Sequence, residues 1–182
     1  MNRVTVDACD VASYAGIERR NLGEAVETDA VALNHYAVDP GERIAGLHTH
    51  LDQEEVFVVL SGSAVFETLD GKRAVTEDEA IRFAPGEFQS CTNRADERLV
   101  VLAVGAPAGT DELRVPVGCH ACEADAMALE FAAGEERLVC PECDAERVPE
   151  CPECGGGELR AELVEGRPAS VCQSCGAADP AR

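Results

Sequence analysis

The sequence predicts a mainly β protein, with an antiparallel sandwich or barrel of the jelly-roll type followed by two small four-cysteine units. Short apolar runs rich in Val, Ile, Leu and Phe recur between about residues 30 and 106, and turn residues separate them. No helical periodicity intervenes between these runs. Eight of the ten cysteines form four C-x2-C pairs in the last third of the chain. Together these observations favour an antiparallel sandwich or barrel followed by metal-stabilised units.

Composition limits the partners that this protein can have. Apolar residues make up 46% of 182 residues, enough for a core, while 35 acidic residues face 15 basic ones and give a net charge of −20. The acidic residues are spread along the chain, which is typical of the solvated surface of proteins working in high salt rather than of a patch for a basic partner. Such a surface repels phosphate backbones, so nucleic acid is an unlikely partner. No run resembles a signal-peptide core or a membrane span, which predicts a soluble, cytoplasmic protein.

The chain divides into an N-terminal arm, a barrel, a linker and two cysteine units. The arm, residues 1–29, is predicted to hold a short helix or an extended strand. The barrel covers residues 30–106, with strands expected in "AVALNHYAV", "EVFVVL", "SAVFETL", "AIRFA" and "RLVVLAVGA". The turns between them contain "DPGE", "LSGS", "LDGK" and "APGE". The Pro and Gly content of residues 107–117 indicates a linker and a plausible hinge.

A candidate metal site lies in "GLHTHLDQEEVFVVLSG". His48 and His50 are two residues apart, so in a strand both side chains point the same way, and a pair of glutamates follows them. Two imidazoles and one carboxylate on a rigid wall form a facial set that leaves coordination positions open. His35 has no partner at a recognisable spacing and is predicted to be an ordinary strand residue. Cys91 shares the alternating face of Gln89 and Asn93, so its thiol either lies near the pocket or, as is more common for cysteine, is simply a small buried side chain, and Cys9 is assigned no role.

The same stretch resembles the first motif of the cupin family, G-x5-H-x-H-x3-4-E-x6-G. The matching residues, with one extra residue after the first glycine, are Gly41, His48, His50, Glu55 and Gly62. Glu54 satisfies the shorter histidine-to-glutamate spacing, but only Glu55 leaves six residues before Gly62. The second motif, P-x-G-x2-H-x3-N, is similar to "FAPGEFQSCTN" aligned on Gly86 and Asn93, where Gln89 takes the place of the third histidine.

The resemblance implies an antiparallel cupin β-barrel whose His48, His50 and Glu55 hold a divalent transition metal, such as iron, manganese, nickel, copper or zinc. Gln89 is either a fourth ligand, an orienting group behind the ligands or a substrate contact. Dioxygenase, isomerase and decarboxylase reactions all occur on similar barrels, so no catalytic residue is assigned. The alternative is a barrel that has lost its metal and binds a small molecule without catalysis. A homodimer is also implied by the resemblance alone.

The cysteines form an internal repeat with an offset of 32 residues, which indicates one structural unit used twice. Two C-x2-C knuckles about 17 residues apart supply four thiolates to one tetrahedral zinc ion. The predicted ligand sets are Cys119, Cys122, Cys140 and Cys143 for the first zinc, and Cys151, Cys154, Cys172 and Cys175 for the second. Iron in place of zinc, pairing of the two inner knuckles, and replacement of one cysteine by His120 are the alternatives.

The knuckles "CPECD", "CPECG" and "CQSCG" resemble zinc ribbon domains, and the whole chain resembles cupin-domain proteins of halophilic archaea. The ribbons are expected at residues 118–146 and 147–178, each with two short strands, around Gly134 and Gly166 respectively. Closed four-cysteine sites are structural, so the two Zn²⁺ ions act as folding staples or create a docking surface for a protein partner. Two hypotheses follow: a metal-dependent enzyme acting on a small molecule, or a non-catalytic binding module docked through its ribbons.

Overall fold

The structure, a computed structural model, describes residues 1–110, 112–132 and 135–180. Within these residues helix is confined to a 3-10 turn, Val6–Ala8, and to α1 (Leu22–Ala25), and no helix is long and apolar enough to cross a membrane. The strands are β1 (Ala12–Tyr14), β2 (Ile17–Asn21), β3 (Ala32–Val38), β4 (Thr49–His50), β5 (Glu54–Ser61), β6 (Ser63–Thr68), β7 (Gly71–Thr76), β8 (Ala80–Phe83), β9 (Ser90–Asn93), β10 (Leu99–Ala106), β11 (Leu113–Val115), β12 (Met127–Ala132), β13 (Glu135–Val139), β14 (Glu146–Arg147), β15 (Leu159–Val164), β16 (Arg167–Cys172) and β17 (Ala178–Pro180). All their pairings are antiparallel, which confirms the predicted fold class.

The barrel consists of two sheets that share one hydrophobic core. One sheet has six strands in the order β1-β2-β3-β10-β5-β8, and the other has three in the order β7-β6-β9. Phe57, Phe66 and Phe83 meet in the core, with ring centroids 5.1, 5.5 and 6.1 Å apart, a separation at which aromatic rings attract one another. Buried aliphatic side chains from both sheets complete this cluster. The core therefore packs one sheet on the other, as the alternating apolar pattern of the strands requires.

Each of the five predicted apolar runs contains a strand, namely β3, β5, β6, β8 and β10. The sequence pattern did not indicate β7 and β9, because neither "GKRAVT" nor "SCTN" contains a run of apolar residues. Both strands are held by pairing with β6 on its two sides. Gly62 forms the tight turn from β5 to β6, with a φ of 86° and the carbonyl oxygen of Arg98 only 3.1 Å from where a Cβ would stand.

The N-terminal arm is part of the barrel sheet. The strand β2 pairs with β3 from Ile17 opposite Val38 to Asn21 opposite Asn34. The Asn21 side chain then caps α1 by accepting a hydrogen bond from the backbone N–H of Glu24 at 3.1 Å. Both predicted alternatives for the arm, helix and strand, are present, and β2 brings its residues to one wall of the barrel.

The first cysteine unit, which comprises its four cysteines and β12 to β14, shares a sheet with the barrel. Its strand order is β14-β13-β12-β11-β4. The strand β11 lies in the segment interpreted from sequence as a linker, and it pairs Arg114 with Ala128 on one side and Leu113 with His50 on the other. The segment is therefore tied into a sheet on both sides rather than free as a hinge. The predicted turn at Gly134 lies outside the described residues.

The second cysteine unit, which comprises its four cysteines and β15 to β17, packs beside the first histidine of the candidate site. The predicted strands flank Gly166 as β15 and β16, with a glycine φ of 79° at the turn. The backbone N–H of Leu47 donates to the carbonyl oxygen of Ala161 at 2.8 Å. A Cβ on Gly46 would lie 3.3 Å from the backbone nitrogen of Ala161, so the two chains approach closely at a glycine. The unit thus contacts the segment that carries His48.

Candidate metal centre

Two histidines and one glutamate converge at one end of the barrel. The backbones of His48 and Gln89 exchange two hydrogen bonds. His50 lies in β4, where it pairs with Leu113 of β11. Alternation along the strand turns both imidazoles to the same side, where their ring centroids are 5.1 Å apart and their planes nearly perpendicular. Glu55, at the start of β5, faces them. One ligand atom from each of the three residues lies within 4.8 Å of the others, as the sequence predicts for a shared metal.

Hydrogen bonds behind the imidazoles place the protons on the Nδ1 atoms and leave the Nε2 atoms unprotonated. The Nδ1 atom of His48 is 2.7 Å from the carbonyl oxygen of Gly46, which can only accept, so Nδ1 carries the proton. The Thr110 hydroxyl donates to Asp52 Oδ1 at 2.5 Å, and its oxygen is 3.3 Å from Nδ1 of His50. That geometry makes His50 Nδ1 the donor as well. Fixing the tautomer through the remote nitrogen is a common arrangement for metal-binding histidines.

The His50 imidazole is held in its neutral form. Burial lowers the pKa of His50, the charge of His48 acts in the same direction, and the nearby Glu55 and Asp52 carboxylates only partly offset them. Neutral imidazole is the form that binds a divalent metal. The Nε2 atom of His50 is 3.7 Å from Glu55 Oε2, close enough for one ion to bind both.

Gln89, 3% exposed, contacts two of the three candidate ligands. Its amide nitrogen lies 2.8 Å from Glu55 Oε2 and 3.3 Å from His48 Nε2. An amide ligates a metal through oxygen rather than nitrogen, so in this rotamer Gln89 is a donor that orients Glu55 and also contacts the Nε2 atom of His48, a contact that a metal ion bound there would displace. Rotation of the amide would present its oxygen to the site instead.

The candidate ligands line a cavity of about 310 Å³ inside the barrel. Sequence reasoning missed several polar residues of its wall, because all but Gln53 lie outside the motif and Gln53 is not at one of its ligand positions. They are Arg19, Asn34, Tyr36, Gln53 and Thr110. Burial raises the pKa of Tyr36 to about 12, so its phenol remains a neutral hydrogen-bonding group. Small side chains, among them Ala32 and Ala103, leave room between the polar ones.

Cys91 also lines this cavity, as the alternation with Gln89 predicts. Its thiol is 2% exposed, and burial raises its pKa to about 12. A thiol in that state is neither a thiolate nucleophile nor a ready metal ligand at neutral pH. His35 and Cys9 are not among the lining residues or the groups of potential metal ligands within the described part of the chain.

Asn93, the last residue of the second motif, is fully buried and lies away from the cavity. Its amide nitrogen donates to the carbonyl oxygens of Val38 at 2.9 Å and Glu97 at 2.8 Å, and its oxygen accepts from the backbone of Ala95 at 3.0 Å. The side chain therefore closes the turn between β9 and β10 and ties it to β3. Its role in the motif is structural.

Asn93→Ala is expected to lower the free energy of unfolding by about 3 kcal/mol, because it removes three hydrogen bonds to backbone groups, one of them buried and two part-buried. Urea denaturation followed by circular dichroism measures the change. Asn2→Ala, at an exposed asparagine, serves as the matched control and is expected to change stability by less than about 0.5 kcal/mol. Equal stability of the two variants would contradict the structural role.

The eight C-terminal cysteines form two separate clusters, each built from sequential knuckles as predicted. In the first cluster, sulfur atoms approach to 3.7 Å between Cys119 and Cys143 and to 3.5 Å between Cys122 and Cys140. The corresponding distances in the second cluster are both 3.6 Å. Four sulfurs at about 2.3 Å from one tetrahedral ion are about 3.8 Å apart, so both clusters fit a zinc ribbon site. The exposed His120 belongs to neither cluster in the described residues.

Backbone amides stabilise thiolates in both clusters. The N–H of Ala121 donates to Cys119 Sγ at 3.3 Å and is the main cause that lowers the Cys119 pKa to about 7. The backbone of Cys175 is the main cause that lowers the Cys172 pKa to about 6. The thiolate is the metal-binding form, so these two positions are the most ready to bind an ion. The pKa of Cys122 and the pKa of Cys175 are each raised to about 12, because the lowering effect of the backbone amides is outweighed by hydrogen bonds among the clustered thiols. Iron and zinc both accept four thiolates, and the geometry fits either.

Comparison with known proteins identifies the barrel. Residues 34–105, less than half of the chain, match the family model described as the cupin domain. A search of the curated proteins finds no match. The matched range contains every candidate ligand of the barrel site and most of the strands that surround it.

Solved structures share this fold at low sequence identity. A sugar phosphate isomerase of the cupin superfamily from Silicibacter pomeroyi aligns with a TM-score of 0.61 at 18% identity, covering 78% of this chain and 94% of that one. A predicted oxalate decarboxylase from Thermotoga maritima gives 0.52 at 22%, covering 58% and 98%. A polyketide cyclase from Streptomyces resistomycificus gives 0.53 at 22%, covering 62% and 83%. At such identities the similarity establishes the fold and not the reaction.

Proposed function

We propose that the barrel binds one divalent transition metal and uses it to hold a small organic ligand or substrate. The observation that carries this proposal is the convergence of His48, His50 and Glu55 within 4.8 Å on the wall of a cavity of about 310 Å³. Two imidazoles and a carboxylate on one face leave coordination positions directed into the cavity. When bound, the metal would act as a Lewis acid that polarises an oxygen of the ligand.

The protein residues around this site have definable tasks in the proposal. Gly46 and Thr110 fix the protonated nitrogens of the two histidines, and Gln89 orients Glu55 through its amide. The neutral phenol of Tyr36 can donate to a ligand oxygen. Isomerase, decarboxylase and cyclase describe the similar solved structures and not this chain. The reaction, if this barrel catalyses one, is not chosen by the fold.

The two cysteine units each bind a structural zinc ion in this proposal. Four thiolates fill a tetrahedral shell and leave no position for a substrate. The first unit has its own small core around Val117, Met127 and Leu138, and a zinc ion would hold its two knuckles over that core. The acidic composition remains consistent with the predicted high-salt environment, and the cytoplasmic location stays a prediction.

A non-catalytic binding module is the second candidate. The amide nitrogen of Gln89 occupies the side where a third histidine would complete the metal shell, and it bonds to Glu55 and His48 directly. That network favours a weaker metal site than one with three imidazoles. In such a module the barrel would hold a small molecule, and the cysteine units would dock a protein partner.

Elemental mass spectrometry of the full chain tests the metal proposal. We expect one ion for each four-cysteine cluster and one further transition metal in the barrel, three in all. His48→Ala is expected to weaken binding of the barrel metal by more than about 100-fold, since it removes a direct ligand, and to leave two ions per chain after dialysis.

The matched control is His120→Ala, which removes an exposed histidine outside all three groups and is expected to retain three ions. Loss of the third metal in His48→Ala alone supports the proposal. Two ions in both the natural chain and His48→Ala, after reconstitution with iron, manganese, nickel, copper or zinc, would favour the non-catalytic module.

A further inference from the structure

Arg19 is a cation on the wall of the barrel cavity, far along the chain from the metal motif. It lies on β2, opposite Tyr36 on β3, and its side chain lines the same cavity as His48, His50 and Glu55. It also borders a neighbouring cavity of about 300 Å³. Arg19 therefore lines both the cavity of the candidate metal ligands and its neighbour.

The guanidinium is held in place but is not neutralised. Its Nε–H donates to Asn34 Oδ1 at 2.8 Å, which leaves the two terminal nitrogens with their four N–H groups for other acceptors. Among the described residues no carboxylate forms an ion pair with Arg19, although Arg20 and Arg82 each pair with one carboxylate and Arg98 pairs with two. In a chain with 35 acidic residues, a half-buried arginine without an acidic partner is unexpected.

The charges inside the cavity also leave Arg19 without a full counter-charge when a metal is bound. Apart from the two histidines, Glu55 and Arg19 are the only side chains with a formal charge among the described residues that line the cavity. With a divalent metal bound, three positive charges would face the single negative charge of Glu55. A partly desolvated site with excess positive charge favours an anionic ligand, even though the protein as a whole is acidic.

We propose that Arg19, oriented by Asn34, binds a carboxylate or phosphate group of the ligand whose other end contacts the barrel metal. The planar guanidinium matches both oxyanions with paired N–H donors. This inference rests on the proposed metal function and adds the chemical class of the ligand. Neither motif of the sequence contains Arg19 or Asn34.

The sheet register sets the separation between the strand of Asn34, which orients Arg19, and the strand of the candidate metal ligand Glu55. Asn34 pairs with Ala103, and Ala103 pairs with Phe57, two residues from Glu55 on β5. Two interstrand spacings place the backbones of β3 and β5 about 10 Å apart. The side chain between them is only Ala103, so the space above it can accept the body of a small molecule.

Isothermal titration calorimetry on the metal-loaded full chain tests this proposal with three sugars of matched ring, namely glucose, glucuronate and glucose 6-phosphate. We expect at least one anionic sugar to bind about 10- to 100-fold more tightly than neutral glucose, as for charge-assisted hydrogen bonds. Glucuronate and glucose 6-phosphate together distinguish a carboxylate from a phosphate ligand. Arg19→Gln is expected to abolish the preference, and Arg19→Lys to retain part of it as a point charge.

Arg73→Gln is the matched control, because it removes one positive charge from an exposed position outside the cavity. It should leave the preference unchanged. Equal affinity for charged and neutral sugars, or no binding of either anion at millimolar concentration, overturns the inference. Metal content measured on the same samples distinguishes failure of the metal proposal from failure of the Arg19 proposal. If the natural chain lacks the third ion, the metal function itself is contradicted. If three ions are present without a preference for anionic sugars, only the role of Arg19 is contradicted.

Discussion

Cys172→Ser is expected to release the zinc ion from the second cysteine unit and to unfold that unit. A serine hydroxyl is a poor zinc ligand, and zinc binding is the main source of folding free energy in small domains of this type, on the order of 10 kcal/mol. Besides its cysteines, the second unit buries only Ala169 and Ser170 fully among its described residues. Without the ion little apolar burial remains to offset the chain entropy. Elemental analysis should show one ion fewer, and hydrogen exchange should show loss of protection in β15 and β16.

The same substitution, Cys172→Ser, is also expected to weaken metal binding at the barrel site. When β15 unfolds, the N–H of Leu47 loses its acceptor at Ala161, and Gly46 loses the backbone packed against it. Gly46 supplies the carbonyl that fixes the His48 tautomer at 2.7 Å. Loss of such support behind a metal ligand typically weakens metal binding by about 10-fold or more. A chelator titration of the barrel metal measures this effect.

Cys9→Ser is the control for cysteine replacement, because Cys9 belongs to neither cluster. It should keep both zinc ions and the full affinity of the barrel. If Cys172→Ser loses its zinc ion while the affinity of the barrel site for its metal stays unchanged, the second unit folds independently and does not support His48. If the zinc is retained, the ligand assignment of this cluster is wrong.

The cysteine clusters and most barrel strands are predictable from sequence, because their signals are local. Two residues between ligands place both sulfurs of a knuckle at one ion, whatever the rest of the chain does. Period-two alternation and turn residues likewise mark β3, β5 and β10. The pair of histidines benefits from the same locality, since His48 and His50 share a face in any extended segment.

The remaining features depend on contacts between distant segments, which leave no spacing signal. The linker becomes β11 only because β4 and β12 both offer unpaired edges to it. Arg19 enters the cavity because β2 joins the barrel sheet, and a single arginine in the N-terminal arm carries no pattern of its own. The orientation of the Gln89 amide is likewise set by Glu55 and His48 together. The sequence identified Gln89 as the residue in place of the third histidine, but it did not indicate that the amide nitrogen of Gln89 contacts Glu55 and His48.

Arg43→Met is expected to destabilise the protein by about 3 kcal/mol, because it leaves a buried carboxylate with a single exposed partner. Arg43 and Glu67 are 6% and 4% exposed, and their charged groups are 3.0 Å apart. Lys72, which is largely exposed, approaches the other oxygen of Glu67 at 2.8 Å. Arg43 also lies 3.9 Å from Glu162 of the second cysteine unit. Urea denaturation at neutral pH measures the loss.

Two comparisons separate a buried ion pair from loss of side-chain volume. Replacing both partners, as Arg43→Met with Glu67→Leu, should recover most of the stability, since no buried charge is then left unpaired. Arg82→Met removes one partner of an exposed pair with Glu54 and should cost less than about 1 kcal/mol. A double variant no more stable than Arg43→Met would show that packing, rather than charge, dominates at this position.

The effect of Arg43→Met should also depend on pH. Burial raises the pKa of Glu67, but the hydrogen bond from Lys72 and the charges of Arg43, Lys72 and Arg94 outweigh it and lower the pKa below its ordinary value of 4.5. A carboxyl with a lowered folded pKa contributes stability above its unfolded pKa and loses that contribution as the pH falls through the folded one. Protonated Glu67 no longer needs a cation. The stability difference between the natural chain and Arg43→Met should therefore be largest at neutral pH and shrink below about pH 4.5, and a difference independent of pH would exclude Glu67 as its cause.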